Sequence, residues 1–322
     1  SSDVCSSDLG IGTITQVNGI ASATQSFFDP EMQDVVMIFG REYSIVTVIT
    51  AIVVAVLTAL VVIGGLQRIA SVTSIVVPFM AIGYIVVCIS ILIYSYRAIP
   101  DAVVSIVESA FGLRAVAGGA IGSLLMAMQM GVARGIFSNE AGLGSAPIAA
   151  AAARTKEPVR QGLVSMTGTF IDTIIVCSMT GLTIMVTGSY ETALANNLEG
   201  VDVTINAFSQ GLPWGYEAGS AVLMVCLAFF AFTTILGWDY YSERALEYLV
   251  GNLNVVKVYR WLYIIAVLIG PFLTVSAVWT LADICNGLMA IPNLIALIAL
   301  SGVVVAETKS YFKRLDSGQI RG

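Results

Sequence analysis

Between Gly135 and Pro147 the chain reads Gly-Ile-Phe-Ser-Asn-Glu-Ala-Gly-Leu-Gly-Ser-Ala-Pro, inside an otherwise apolar segment. Its three glycines and its proline discourage a continuous helix. Ser138, Asn139, Glu140 and Ser145 place hydroxyl, amide and carboxylate groups at or near bilayer depth. An unwound stretch of this kind has a definite chemical capacity. Free N–H groups at a half-helix start attract a carboxylate, while freed carbonyls and hydroxyls can ligate Na+, a hard cation that prefers oxygen. In membrane carriers such breaks hold the cargo. From the residues alone two readings stay open. One is a break within a span; the other is a cytoplasmic loop ending a simple span, with 148–153 as an interfacial helix. Arg134 next to it either snorkels to the interface or pairs with Glu140.

The elements that must position these groups are membrane helices. The 322 residues are 57% hydrophobic and 11% charged, with mean hydropathy +0.89. Soluble domains carry about 25% charged residues, so this chain could not cover a water-facing surface. The net charge of −6 supplies no basic stripe for nucleic acid. There is no histidine, which removes the commonest metal ligand and the usual neutral-pH acid/base. Cys5, Cys88, Cys177, Cys226 and Cys285 form no CxxC pair, and four of them sit in apolar runs as small core hydrophobes.

With about 20 apolar residues per span, eight segments are expected: a (9–28), b (44–63), c (72–94), d (from about 115, interrupted), e (162–187), f (218–238), g (262–281) and h (284–306). Backbone groups in lipid must bond internally, so each is expected to be helical. Placing the start of a in the cytoplasm leaves only Arg41, Arg97 and Arg114 outside. Arg68, Arg154, Lys156, Arg160, Arg244, Lys257, Arg260, Lys309, Lys313, Arg314 and Arg321 then fall inside. Both ends are therefore expected to be cytoplasmic, and 189–217, acidic and without Lys or Arg, is an outside loop. Residues 1–9 (SSDVC-SSDL) read as a junction rather than native sequence; 10–308 form the transmembrane domain and 309–322 a cytoplasmic tail.

The run GVARGIFSNEAGLGSAPIAAAAA (131–153), with GGLQRIA (64–70), ESAFG (108–112), FIDT (170–173), FAFTTILGW (230–238) and LADICNGLMAIPNL (281–294), resembles the alanine or glycine:cation symporter family. The likeness extends from Gly10 to the C-terminus. It implies the five-plus-five inverted-repeat fold typified by LeuT, with a to h as core helices three to ten and the first two, including the first broken helix, missing. It also implies import of alanine or glycine coupled to Na+, with H+ as an alternative, by a lipid-embedded monomer in the cell membrane.

Carried onto this sequence, the resemblance assigns Phe137, Ser138, Asn139 and Gly142 to the substrate, with Phe137 against its small side chain. Trp238 walls the pocket or sits in an interfacial aromatic belt. Thr233 and Thr234 resemble a hydroxyl pair closing a Na+ site, joined by the Phe230 backbone carbonyl; the plainer reading is that both hydroxyls bond the preceding turn. Gln16 and Asn18 match polar positions of the third core helix, facing substrate or a neighbouring helix. Glu140 is expected to tie the unwound turn, since a free carboxylate would repel the substrate's own. Asp172 is left between pairing with Arg160 and lining an inner vestibule, and Asp283 is expected in a solvated turn between g and h. Gly118, Gly119 and Gly122 are expected to permit close helix packing. A channel would need repeated charged or carbonyl rings, and an intramembrane enzyme would need a nucleophile or metal set; neither pattern is present.

Overall fold

A computed structural model describes residues 12–38, 40–111, 120–198, 200–214 and 216–320. The chain is an α-helical, multi-pass membrane protein. Among the described residues, six helices are long and apolar enough to cross a bilayer: 45–62, 67–94, 158–186, 217–250, 253–272 and 276–316.

Segment a appears as α1 (Ile14–Phe28) and segment b as α2 (Ile45–Val62), joined by a short antiparallel hairpin, β1 (Val35–Ile38) with β2 (Arg41–Ser44). The Ser44 hydroxyl accepts from the Val46 N–H and caps α2. Segment c is α3 (Leu66–Tyr94), entered through Gly65 at φ 73° and carrying Pro78 within it. A further helix, α4 (Ile99–Ala110), precedes α5 (Ala120–Asn139). Helix α5 is not among the six. The described part of α1 is only 15 residues long. Gly118 and Gly119 lie outside the described residues.

Segment e is α7 (158–186), whose middle, Phe170–Cys177, is π-helical. The expected outside loop instead holds two helices, α8 (Ser189–Asn196) and α9 (Val201–Gly211). Segment f is longer than expected: α10 (Tyr216–Val250) runs three turns past Trp238. The boundary between g and h also moves. Helix α11 (Leu253–Ile269) ends in a 3-10 turn at Gly270–Phe272, and α12 (Val275–Asp316) then continues unbroken through Pro292. The Gly270–Pro271 pair ends α11, because proline cannot donate into the helix ladder. Asp283 is therefore in the body of α12 rather than in a solvated turn.

The core lies where α1, α2, α10 and α11 meet. Val17, Ile20, Val54, Ala55, Ala231, Ile235, Tyr259, Tyr263 and Val267 form one buried cluster there. Tyr263, fully buried, donates its hydroxyl to the Ile235 carbonyl at 2.6 Å and accepts from the Thr13 hydroxyl at 2.6 Å. Large apolar side chains elsewhere, such as Phe79, Ile82, Ile298 and Val303, face outward as a lipid-exposed surface requires.

Candidate functional site

Helix α5 continues five residues into the glycine-rich stretch, further than its composition suggests. Residues 135–139 are helical, and the break runs from Glu140 to Ser145, before the short helix α6 (Ala146–Ala150). The helix persists because Asn139 is held twice: its amide donates to the Gly135 carbonyl at 3.1 Å and to the Thr173 hydroxyl of α7 at 2.6 Å. Beyond it, Glu140 (φ 52°), Gly142 (φ 77°) and Gly144 (φ 83°) are left-handed, a conformation that glycine adopts without strain and other residues adopt at a cost. Two side chains clamp the turn. Ser145 donates to the Glu140 carboxylate at 2.7 Å, and Asn293 of α12 donates to the Gly142 carbonyl at 2.9 Å. Among the described residues, no backbone carbonyl accepts from the Gly142, Gly144 or Ser145 N–H. At five residues α6 is too short to gather a useful dipole, so any anion affinity here resides in these turn N–H groups.

Glu140, the first residue of the turn, faces α10 across a cavity of 340 Å³ lined also by Thr73, Val77 and Met80 of α3 and by Thr233, Thr234, Gly237, Trp238 and Tyr241 of α10. The two threonines do bond the preceding turn. Thr233 donates to the Phe229 and Phe230 carbonyls, both at 3.0 Å, and Thr234 donates to the Phe230 carbonyl at 2.9 Å. Donation spends the hydroxyl proton and leaves lone pairs able to meet a cation. The Phe230 carbonyl already accepts both hydroxyls, while the Phe230 ring packs edge-on to Tyr84 at 5.7 Å.

A second cavity, of 450 Å³, shares Glu140 and Tyr241 with the first and adds Ser138, Asn139 and Asp172. Ser138 donates to the Asp172 carboxylate at 2.5 Å, so Asp172 pairs with α5 and not with Arg160. Phe137 packs at a tilt against Trp279 of α12, with ring centroids 5.3 Å apart, and belongs to the same apolar cluster as Trp238, Leu143 and Met289. Trp238 is buried, not interfacial, and its ring closes on Gly12, where a Cβ would fall within 2.0 Å of it.

Gln16 and Asn18 line neither cavity. Asn18 donates to the Leu273 carbonyl at 2.9 Å, at the junction of α11 and α12. Arg134 pairs with Asp283 at 2.6 Å and lies over the Trp279 ring at 4.3 Å, rather than pairing with Glu140. Tyr241, Asn293 and Met80 were missed by sequence reasoning. Tyr241 had a detectable signal, because it lies one and two turns beyond Trp238 and Thr234 on one helix face. Asn293 and Met80 come from distant helices and had none.

The sodium:alanine symporter family profile matches residues 5–321. A Haemophilus influenzae protein, named only as an uncharacterized transporter, is 52% identical over 95% of this chain and 63% of its own length. The sodium/alanine symporter AgcS of Methanococcus maripaludis is 43% identical over 94% of this chain and 62% of its own. A sodium/proton-dependent alanine carrier protein of Bacillus sp. is 33% identical over 87% of this chain and 65% of its own. The chain thus spans about three-fifths of the length of these relatives. Helical membrane architecture, the broken-helix motif and this match across nearly the whole chain establish that the chain belongs to the sodium:alanine symporter family, a family of transporters and not of enzymes.

Proposed function

We propose that this protein imports a small neutral amino acid, alanine or glycine, together with Na+, by alternating access across the cell membrane, with both ends of the chain cytoplasmic. One observation carries the reading: Glu140, at the start of the unwound turn, and the Thr233–Thr234 pair line one cavity. The available donors suit both ligands. Turn N–H groups are free to meet a carboxylate, and two hydroxyls whose protons are committed to backbone carbonyls present lone pairs to Na+. Thr233 and Thr234 would hold the ion with further oxygens, the Phe230 carbonyl among them; Na+ bound there would supply positive charge facing the substrate's carboxylate. Phe137, with Trp238 in its apolar cluster, limits the side chain that fits, while Ser138, Asn139 and Gly142 frame the polar end. Gln16 and Asn18 act from the α1 side. The LeuT-like five-plus-five core and a lipid-embedded monomer belong to the same reading.

The test is uptake of labelled alanine by the full-length protein in proteoliposomes. Uptake should require an inward Na+ gradient, be inhibited by glycine, and need a higher Na+ concentration in Thr234→Val. Uptake indifferent to Na+ would refute the reading. The relative named as sodium/proton-dependent favours H+ as a second coupling ion.

A further inference from the structure

Asp239 follows Trp238 on α10 and is fully buried. Neither of its carboxylate oxygens has a hydrogen-bond partner among the described residues. Glu243, one turn later, is also buried but is matched: Arg260 of α11 grips it through two bonds of 2.5 and 2.9 Å. That guanidinium bonds Glu243 and gives Asp239 no hydrogen bond, so one positive charge faces two buried carboxylates and cannot balance both. The remaining neighbours offer no charge. Helices α1 and α2 carry no Asp, Glu, Lys or Arg anywhere along their length. On α3 the one charge, Arg68, is exposed and donates to the Leu60 carbonyl. From α11 the groups on this side besides Arg260 are Tyr259 and Tyr263, whose rings pack against each other. On α10 itself, Arg244 is paired with Glu247.

A second orphan faces the same region. Thr58 of α2 is fully buried and its hydroxyl has no partner among the described residues. Its neighbours on α2 locate it: Val54 and Ala55 pack with Ile235, and Val62 packs with Leu236 and Tyr240. Thr58 therefore sits on the α2 face that runs along residues 235–240 of α10. An ionised carboxylate in such a place is too costly for a marginally stable fold; a buried carboxyl without a partner charge takes up a proton instead. Intramembrane carboxylates of this kind mark ion and proton paths.

We infer that Asp239 is a proton-binding site within the membrane-spanning bundle, a second ion site beside the sodium site proposed above. The inference deepens that reading and its transport arm rests on it. In the step, a proton from water bonds to one carboxylate oxygen; nothing is oxidised or reduced. The proton is held in the conformation seen here and released when rearrangement of α10 against α2 and α11 admits water.

Two measurements on the full-length protein decide it. The infrared spectrum of reconstituted protein should show the stretching band of an un-ionised, buried carboxyl at neutral pH. That band should be lost in Asp239→Asn; Asp239→Glu, which shifts the band rather than deleting it, serves if the amide variant does not fold. In proteoliposomes loaded with a pH-sensitive dye, alanine-driven internal acidification should occur in wild type and be lost in Asp239→Asn. Absence of the band would overturn the inference, as would acidification in Asp239→Asn equal to wild type. If wild type moves no alanine with Na+, the symport reading fails, and the band alone then decides whether Asp239 holds a proton.

Discussion

Two walls of one cavity, the unwound turn at Glu140 and α10 at Thr233 and Thr234, solve the same backbone problem in opposite ways. The Glu140–Ser145 turn gives up its helical ladder and is held by borrowed side chains, Ser145 within the turn and Asn293 from α12. The facing stretch of α10 keeps its ladder intact and adds the threonine hydroxyls to it. The first leaves backbone donors without carbonyl partners and depends on tertiary contacts to hold that shape. The second presents hydroxyl lone pairs and depends only on itself. A site for a zwitterion and a cation needs both kinds of surface, and a single continuous helix could offer only the second.

The comparison breaks most severely where α10 itself is braced. Arg260→Leu leaves the buried Glu243 carboxylate unpaired and should cost about 3–5 kcal/mol, read as a lowered unfolding temperature in detergent. Pairing it with Glu243→Met should restore most of the loss, since removing both partners leaves no stranded charge. Tyr263→Phe removes the hydroxyl that accepts from Thr13 and donates to the Ile235 carbonyl, and should cost about 1–3 kcal/mol by the same measurement. On the other wall, Gly144→Ala forces alanine into a left-handed conformation, with its Cβ 3.0 Å from the Asn293 side chain; the strain is about 1–2 kcal/mol. That variant should weaken alanine binding more than it lowers the unfolding temperature, because the strain falls on the turn alone. Gly131→Ala, in the body of α5 with open space around it, should be tolerated.

The smallest expected effect lies outside the membrane. Hydrogen bonds from the Ser44 hydroxyl, chiefly, and the Gln33 N–H hold the Asp29 carboxyl below its ordinary range. A depressed carboxyl contributes stability above its unfolded pKa and loses that contribution as pH falls through the folded value. The stability difference between wild type and Ser44→Ala should therefore be constant at neutral pH and shrink as acid protonates Asp29. A difference that grew on acidification would contradict the assignment.

Much of this architecture was legible in the residues, and the gaps have physical causes. The helix break announces itself through Gly142, Gly144 and Pro147, but its true start does not. Residues 135–139 stay helical because Thr173, on another helix, secures Asn139. The junction of g and h was misplaced because hydropathy runs level through 262–281, although Gly270–Pro271 is a local stop signal. Asp283 looked like a turn residue because its partner, Arg134, lies 149 positions earlier. Asp239 stood out only in the packed bundle, which shows that no side chain among the described residues bonds its carboxylate. The family likeness was readable from motif length alone, whereas side-chain pairings across helices were not.

The central claim is that the turn and the threonine pair serve one site, so that ion and substrate bind with coupled affinity. The direct measurement is a calorimetric titration of alanine into the purified full-length protein at increasing Na+, in wild type and Thr234→Val. Alanine affinity should rise with Na+ in wild type, and that dependence should weaken in the variant while alanine still binds. Alanine affinity that ignores Na+, or a Thr234→Val response identical to wild type, would contradict it.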